Sequence, residues 1–256
     1  MSKAVELVIL CGGKGTRLGE ETKTKPKPLV EIGGKPILWH IMKLYSFYGV
    51  KRFILALGYK GDKVKEYFYP NIKLESQEDD NVLSCNHFED GWEIVFVNTG
   101  LEALKGARIK RVEEFIQGNT FHLTYGDGIS DVNIDALMKF HKSHNSLGTV
   151  TAVRPPSRFG ELNIDNKNNV TGLQEKPQMG QGVINGGFFV FDKRLFSYLS
   201  SDSSCDFELG PLQIIAKDEQ LKAFQHSGFW QCMDNVRERD FLNELIKENT
   251  APWVIW

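Results

Sequence analysis

Short runs rich in β-branched and aromatic residues alternate along this chain with segments of helical periodicity. AVELVIL, near the start, is apolar at consecutive positions, as a strand buried on both faces requires. PILWHIMKLYSFYG places Ile37, Leu38, Ile41, Met42, Leu44 and Tyr45 at helical spacing and is ended by Gly49. KRFILALG, WEIVFVNTG, TFHLTYGDG and LGTVTAVRP read as further strands. GDKVKEYFYP, LKGARIKRVEEFIQG and IDALMKFHKSHN read as helices between them. This alternation predicts right-handed βαβ units, hence an α/β fold with a mostly parallel sheet and helices on both faces.

The rhythm changes after Pro155. GELNIDNKNNVTGLQEK alternates polar and apolar residues around an Asn/Asp-rich turn and predicts a hairpin. INGGFFVFD is one more buried strand; KRLFSYLS, GPLQIIAKDEQL and VRERDFLNELIKE read as helices. No repeat, low-complexity tract or linker interrupts the chain. The acidic, unpatterned stretch 75–91 reads as its one long loop.

Composition narrows the function classes. The 256 residues are 41% apolar and 25% charged, ordinary for a globular protein, with a net charge of −2. That balance gives no global attraction to nucleic acid or anionic membrane, so any positive site must be local. The four cysteines, Cys11, Cys85, Cys205 and Cys232, form no C-x-x-C pair and fit reduced thiols in a cytoplasmic protein. No signal peptide is read, and no apolar stretch approaches the ~20 residues that span a bilayer. His141 and His144 are three apart on an expected helix with nothing to complete a metal site, and read as a solvated face. Cys85 and His87 sit in a polar loop and read the same way.

The unusual chemistry lies just behind the first strand, in LCGGKGTRLGEETKTKPKPLVEIGGKPI, where glycine and lysine concentrate. At the C-terminal edge of a parallel sheet, glycines let backbone N–H groups form a concave nest for an anion. Arg17 and the lysines add positive charge. The P-loop pattern G-x-x-x-x-G-K-[ST] does not occur here, and Leu18 stands where a dinucleotide fingerprint needs its third glycine. In KPKP, each lysine precedes a proline, which favours extended backbone and gives both side chains fixed origins. The segment reads equally as a phosphate site or as an exposed polar turn. Asp127, within YGDG, reads as a turn residue or as a ligand for a cation bound to phosphates. Asp131 reads as belonging to the start of the next helix.

Several strings together carry a resemblance. GGKGTRL, followed by PKPLVEIGGKPI, resembles the signature of the sugar-phosphate nucleotidyltransferases, the sugar-nucleotide pyrophosphorylases. YGDG at 125–128, EKP at 175–177, INGGFFV at 184–190 and FWQCMD at 229–234 follow in the order of that family. VEIGGKPILWHI, GYKG, RIKRV, FHKSH, RFGELNI and the ending APWVIW are similar to its cytidylyl-transferring branch. The resemblance spans essentially the whole chain. It implies the family's Rossmann-like sheet in a single domain, 1–256. Residues 1–154 would mainly bind nucleotide, and 155–256 would supply a small β-rich sugar-phosphate portion and C-terminal helices.

By resemblance, Leu10, Gly12, Gly13, Gly15, Thr16, Arg17, Lys27, Thr99, Arg108, Gly126 and Asp127 would bind the nucleotide. Arg17 and Lys27 would be catalytic. Glu175, Lys176, Asn185 and Gly186 would hold the sugar phosphate, and Asp127 and Asp234 would hold Mg²⁺. The implied reaction joins CTP to α-D-glucose 1-phosphate, giving CDP-glucose and pyrophosphate, as a step toward surface polysaccharide such as lipopolysaccharide O-antigen. The implied enzyme is a homo-oligomer with no nucleic-acid or membrane partner. Residue-level alternatives stand beside these roles. Arg108 also reads as an exposed helix arginine, Asp234 as a helix start, Glu175 and Lys176 as a surface ion pair, and Asn185 to Gly187 as a strand bulge. Phe229, Trp230, Trp253 and Trp256 read as core or subunit packing before base stacking. The base could be uracil or thymine, chosen by contacts around 98–100, and the sugar another hexose. A silent sensor subunit is the alternative outside enzymes.

Overall fold

A computed structural model of the chain describes residues 5–70, 82–87, 91–155, 161–164, 166, 168–174 and 182–256. Eight strands form one sheet: β1 Glu6–Cys11, β2 Arg52–Leu57, β3 Val82–His87, β4 Trp92–Asn98, β5 Thr120–Tyr125, β6 Gly148–Val153, β7 Ile184–Asp192 and β8 Leu221–His226. Their spatial order is β8-β6-β7-β5-β1-β2-β4-β3. Six of the eight run one way; β7 and β3 are antiparallel to their neighbours.

β1 is central and wholly buried. Leu7, Ile9 and Cys11 join the core on one face of the sheet, and Val8 and Leu10 join the core on the other. This is the period-two alternation of a strand covered on both sides. The first core is built with helices α2 (Ile37–Phe47), α3 (Gly61–Phe68), α5 (Ile134–Lys142) and α7 (Val236–Lys247). The second takes in α4 (Lys105–Arg111), the 3₁₀ segment Lys193–Tyr198 and α6 (Pro211–Lys217). A short helix, α1 (Glu20–Thr24), follows the glycine loop. No described helix is long and apolar enough to cross a membrane.

The sheet takes strands from both sides of residue 154. β7 is wedged antiparallel between β5 and β6, so the second half of the chain completes the sheet of the first. Residues Glu161–Ile164 pair antiparallel with Val170–Gln174, as the hairpin pattern predicted. The stretch 75–91 is not one loop throughout, because Val82–His87 pairs antiparallel with β4 at the sheet edge. Its sequence, VLSCNH, is too polar to announce a strand, and an edge strand needs no fully apolar run. KRLFSYLS is 3₁₀ rather than α, started by Asp192, whose Oδ1 accepts from the Arg194 N–H at 2.8 Å.

At the N-terminal edge of the sheet, Glu6 is fully buried. Arg52 Nη1 donates to its Oε2 at 2.5 Å, and the N–H groups of Gln117 and Gly118 donate to its Oε1 at 2.6 and 2.8 Å. A buried carboxylate is tolerated when it is both paired and hydrogen-bonded in this way. The bonds tie the entry to β5 onto β1 and β2.

His141 is buried, not on a solvated face, because the last turn of α5 packs onto β6. The Thr149 hydroxyl lies 3.0 Å from His141 Nδ1 and 2.9 Å from His144 Nε2. It can donate to one ring only while accepting from the other. Burial and the nearby His144 push His141 down to about 4. Burial pushes His122 down to about 3. Trp253 is buried, stacked on Phe229 at 5.3 Å, and Trp256 lies edge-on to Trp39 at 5.9 Å; these aromatics pack, as expected.

Both histidines are neutral when folded and titrate near 6.5 when unfolded. Below pH 6.5 the unfolded chain therefore binds more protons, and stability falls as pH drops toward 4. Each histidine can contribute about 1.4 kcal/mol per pH unit. Urea unfolding at pH 5.0 should give a clearly lower free energy than at pH 7.5. His141→Asn, which keeps an acceptor near the Nδ1 position, should flatten that dependence by about one proton. An unchanged slope would show that His141 is not held neutral.

Candidate active site

The site is assembled at the C-terminal ends of β1, β2 and β5 and at the N-terminal end of the antiparallel β7. β1 ends at Cys11 and opens directly into the glycine loop. Gly15 has φ 61°, a left-handed backbone that an L side chain rarely adopts, and a Cβ there would lie 2.8 Å from Lys27 Cβ. The Thr22 hydroxyl donates to Gly15 O at 3.1 Å. The loop is thereby folded down onto the turn Lys27–Leu29.

Arg108, from α4, is 5% exposed and rules out the exposed-arginine reading. Its Nη1 donates to Leu57 O, Thr99 Oγ1 and Gly100 O at 3.0, 2.8 and 2.7 Å. Its Nη2 donates to Gly12 O and Leu101 O at 3.2 and 3.1 Å. One guanidinium thus ties the loops that follow β1, β2 and β4. Gly12 and Gly58 must be glycine beside it, since a Cβ at either would overlap the guanidinium. Burial first, then the charge of Arg111, lowers its pKa. Thr99, expected at the nucleotide, is fully buried behind Arg108 and donates to Leu57 O at 2.6 Å; it is not on the cleft wall.

The second half of the site comes from a strand crossing. Residues Gly128–Ser130 pair antiparallel with Trp230–Cys232, and Met233 N–H donates to Asp127 O at 2.9 Å. That register sets Asp127 beside Asp234. Between them lies Lys27, 8% exposed, whose Nζ donates to Asp127 Oδ2 at 2.5 Å and Asp234 Oδ1 at 2.6 Å. Burial alone would lower the lysine pKa; the charge and hydrogen bond of Asp127, with those of Asp234, outweigh it and raise it. Asp234 precedes the N-cap of α7. Glu238 Oε2 accepts from the Asp234 N–H at 2.6 Å while Asn235 Oδ1 accepts from the Glu238 N–H at 3.0 Å, a variant of the capping box.

These residues share a cleft of about 580 Å³. Leu10, Gly12, Gly13, Gly15, Thr16, Lys27, Arg108, Gly126, Asp127, Asn185, Gly186 and Asp234 all line it. Arg17 belongs to the 3₁₀ turn Thr16–Leu18, and its side chain is not among those described. Glu175 and Lys176 lie outside the described residues. Lys25 is separated from Lys27: it pairs with Glu31 at 3.3 Å, with its side chain 32% exposed against 10% for Lys27.

Sequence reasoning missed Lys105, Tyr125, Asp206, Glu208 and Trp230 on the same wall. Tyr125 precedes the glycine of YGDG and could have been found; the polar loop SDSSCDFELG gave no sign of Glu208. Trp230 lines the cleft and is not simply core: its Nε1–H donates to Gly186 O at 2.7 Å. Asp131 does not cap a helix; Asn133 caps α5, and Asp131 Oδ1 lies 2.9 Å from His226 Nε2. Ser130 Oγ lies 3.2 Å from that same nitrogen and donates to Phe229 O, so this trio has no proton relay.

The donor set fits a hard divalent cation. Asp127 Oδ2 and Asp234 Oδ1 approach one nitrogen and so lie within about 5 Å of each other. Mg²⁺ takes one or two carboxylates and leaves its other positions to water and phosphate. Cys232, Asp234 and Glu238 also place one ligand atom each within 4.8 Å of one another. Burial and Asp234 push the Cys232 thiol up to about 12, and Glu238 is engaged at the cap, so a hard cation is left with the two aspartates.

Comparison with known proteins finds relatives over nearly the whole chain. The family model described as Nucleotidyl transferase matches residues 6–234. The chain is 44% identical to a glucose-1-phosphate cytidylyltransferase of Salmonella typhi over 259 aligned residues, 98% of this chain and 100% of that one. HddC from Yersinia pseudotuberculosis, solved with GMP-PN, superposes with a TM-score of 0.66 at 26% identity, covering 94% of this chain and 99% of that one. The inositol-1-phosphate CTP transferase from T. maritima shares the fold, with a TM-score of 0.64 at 19% identity over 98% of this chain and 100% of that one.

Arg108→Lys removes most of the loop ties while keeping the charge. It should lower the free energy of unfolding by about 2–4 kcal/mol, since several buried carbonyls lose their donor. Urea denaturation measures this directly. Unchanged stability would mean that the guanidinium does not hold the loops.

Proposed function

The chain belongs to the nucleotidyl transferase family, and from that premise we propose that it transfers a cytidylyl group from CTP to α-D-glucose 1-phosphate, releasing pyrophosphate and CDP-glucose. The full-length likeness to the Salmonella typhi enzyme supports the substrates. The observation that carries the chemistry is the convergence of Lys27, Asp127 and Asp234 beside the glycine loop.

In this reading, a sugar-phosphate oxygen attacks the α-phosphorus of CTP. The new P–O bond forms as the bond to the β-phosphate bridge breaks, and the electron pair leaves with pyrophosphate. The nucleophile is already an anion, so no general base is needed. The chain must align two anions and offset their repulsion. Backbone N–H groups at Gly12, Gly13 and Gly15, with Arg17, hold the triphosphate. Lys27 faces the α-phosphate. Glu175, Lys176, Asn185 and Gly186 take the sugar phosphate. Asp127 and Asp234 would hold a divalent ion, Mg²⁺ by its chemistry, which offsets charge on the phosphates when bound. A cytoplasmic homo-oligomer remains part of the proposal. Leu209 and Ile214, 75% and 50% exposed, support self-association, which light scattering would test.

CTP with glucose 1-phosphate should release pyrophosphate at least ~10-fold faster than UTP or dTTP does, a ratio needing only about 1.4 kcal/mol. Equal turnover with UTP or dTTP would remove the cytidylyl assignment; no turnover with any pair would favour a silent subunit.

Lys27→Ala should cut kcat/KM by roughly 10²–10³, and Lys25→Ala by less than ~10-fold. The assignment fails if the Lys25 variant is the more damaged of two folded proteins.

Asp127→Asn and Asp234→Asn should each lower kcat by ~10² or more and shift the Mg²⁺ titration to higher concentration. If both act on one ion, the double variant should be little worse than the worse single one. Fully additive losses would mean that they do not share it.

A further inference from the structure

One wall of the cleft carries a connected polar chain that runs beyond the family signature, from Tyr125 and Asn185 to Glu208 and Lys105. The Tyr125 hydroxyl donates to Glu208 Oε1 at 2.7 Å, and Asn185 Nδ2 donates to the Tyr125 oxygen at 3.2 Å. Lys105 pairs with the same Glu208 oxygen, and its ammonium sits 5.0 Å from the Tyr125 ring centroid. Burial, then the Glu208 charge, pushes the Tyr125 phenol well above its usual range, so it remains a neutral donor.

The wall is held in place from behind. Asp206 Oδ1 accepts from the N–H groups of Glu208 and Leu209 at 2.9 and 3.0 Å. Leu104 N–H donates to Ser203 O at 2.8 Å, which fastens this loop to the start of α4. Gly187 adopts φ 79°, and a Cβ there would overlap the Tyr125 ring, so β7 is shaped to admit the phenol. Glu208 nevertheless keeps 27% of its side chain exposed, on the cleft.

A carboxylate wall repels phosphate and favours neutral O–H donors, to which its hydrogen bonds are charge-assisted. Tyr125 lies two positions before Asp127, and Lys105, Tyr125 and Glu208 line the same cleft as Lys27, so a sugar whose phosphate attacks beside Lys27 can extend its hydroxyls toward this wall. We propose that Glu208, oriented by Lys105 and Tyr125, is a specificity-determining residue that accepts hydrogen bonds from hydroxyls of the hexose. This rests on the proposed sugar-phosphate reaction and names the part of the site that reads the sugar.

The test pairs Glu208→Gln and Tyr125→Phe with glucose 1-phosphate and its 2-, 3-, 4- and 6-deoxy analogues, measuring kcat/KM and calorimetric affinity. In the unaltered protein, at least one deoxy analogue should lose ~10-fold or more. In Glu208→Gln that loss should shrink to about 2–3-fold, with CTP affinity unchanged. Tyr125→Phe, which keeps the ring, should reduce the same loss in part. Deoxy penalties as large in Glu208→Gln as in the parent would overturn the proposal and leave Glu208 a loop anchor. So would coupling that appears instead with 2′- or 3′-deoxy CTP. If glucose 1-phosphate is not turned over at all, the proposed substrate is wrong. The same comparison, made with whichever sugar 1-phosphate is accepted and its deoxy forms, still decides the role of Glu208.

Discussion

Asp127 and Asp234 would repel each other if the fold brought them together without compensation. At ~4 Å and an effective dielectric of 20, two like unit charges cost about 4 kcal/mol. Lys27 bridges them, and everything near the site can be traced to delivering these three groups to one point. Asp127 arrives just past the end of β5, Asp234 just past the strand Trp230–Cys232, which pairs antiparallel with Gly128–Ser130, and Lys27 on a 3₁₀ turn fixed by prolines on both sides. A shift of one residue in the crossing would turn an aspartate away from the lysine. The same cluster explains why a lysine is tolerated almost fully buried: its charge is matched where it sits.

A cluster of this kind needs a rigid frame, and the frame is fixed at both ends of the sheet. At the N-terminal edge, Glu6 and Arg52 bind strands β1 and β2 to the entry of β5. At the C-terminal edge, Arg108 does the corresponding task for the loops that leave β1, β2 and β4. The two arginines differ in their partners. Arg52 faces carboxylates, whereas the described bonds of Arg108 run to carbonyls and one hydroxyl. An arginine satisfied by backbone keeps its positive charge uncancelled beneath the glycine loop. That charge adds to the loop's N–H groups in favouring an anion there, whether or not the guanidinium touches it.

What could be read from sequence followed from how local the signal was. β1 is apolar at five consecutive buried positions, Leu7 to Cys11, and announces a central strand. The helical stripe from Ile37 to Tyr45 is equally local. The antiparallel insertion of β7 between β5 and β6 was not legible, because strand direction is a property of pairing, not of INGGFFVFD itself. For the same reason VLSCNH passed for loop and His141 for a solvated residue: an edge pairing and a shared threonine lie outside their own segments. At the site, Lys27 and the aspartates came from motif order, while Glu208, on a polar loop from the second half of the chain, left no such trace. Thr99 shows the converse. A motif position was read as a contact, and the fold uses it one layer deeper, to hold Arg108.

The chain carries a net charge of −2 yet is read as binding two polyanions, and the layout of the cleft resolves this. Positive potential comes from one buried lysine, one buried arginine and a row of backbone N–H groups, none of which requires a basic surface. Negative groups are kept where they help. Two meet Lys27, where a cation would draw phosphate toward them. Asp206 and Glu208 lie on the wall bearing Lys105 and Tyr125, where hydroxyls rather than phosphates can be received. A substrate with phosphate at one end and hydroxyls at the other is then favoured in a single orientation. The reversed pose sets phosphate against carboxylates and hydroxyls against an ammonium. Orientation of that kind is what in-line transfer between two anions requires, and it arises here from charge placement before any shape complementarity is invoked.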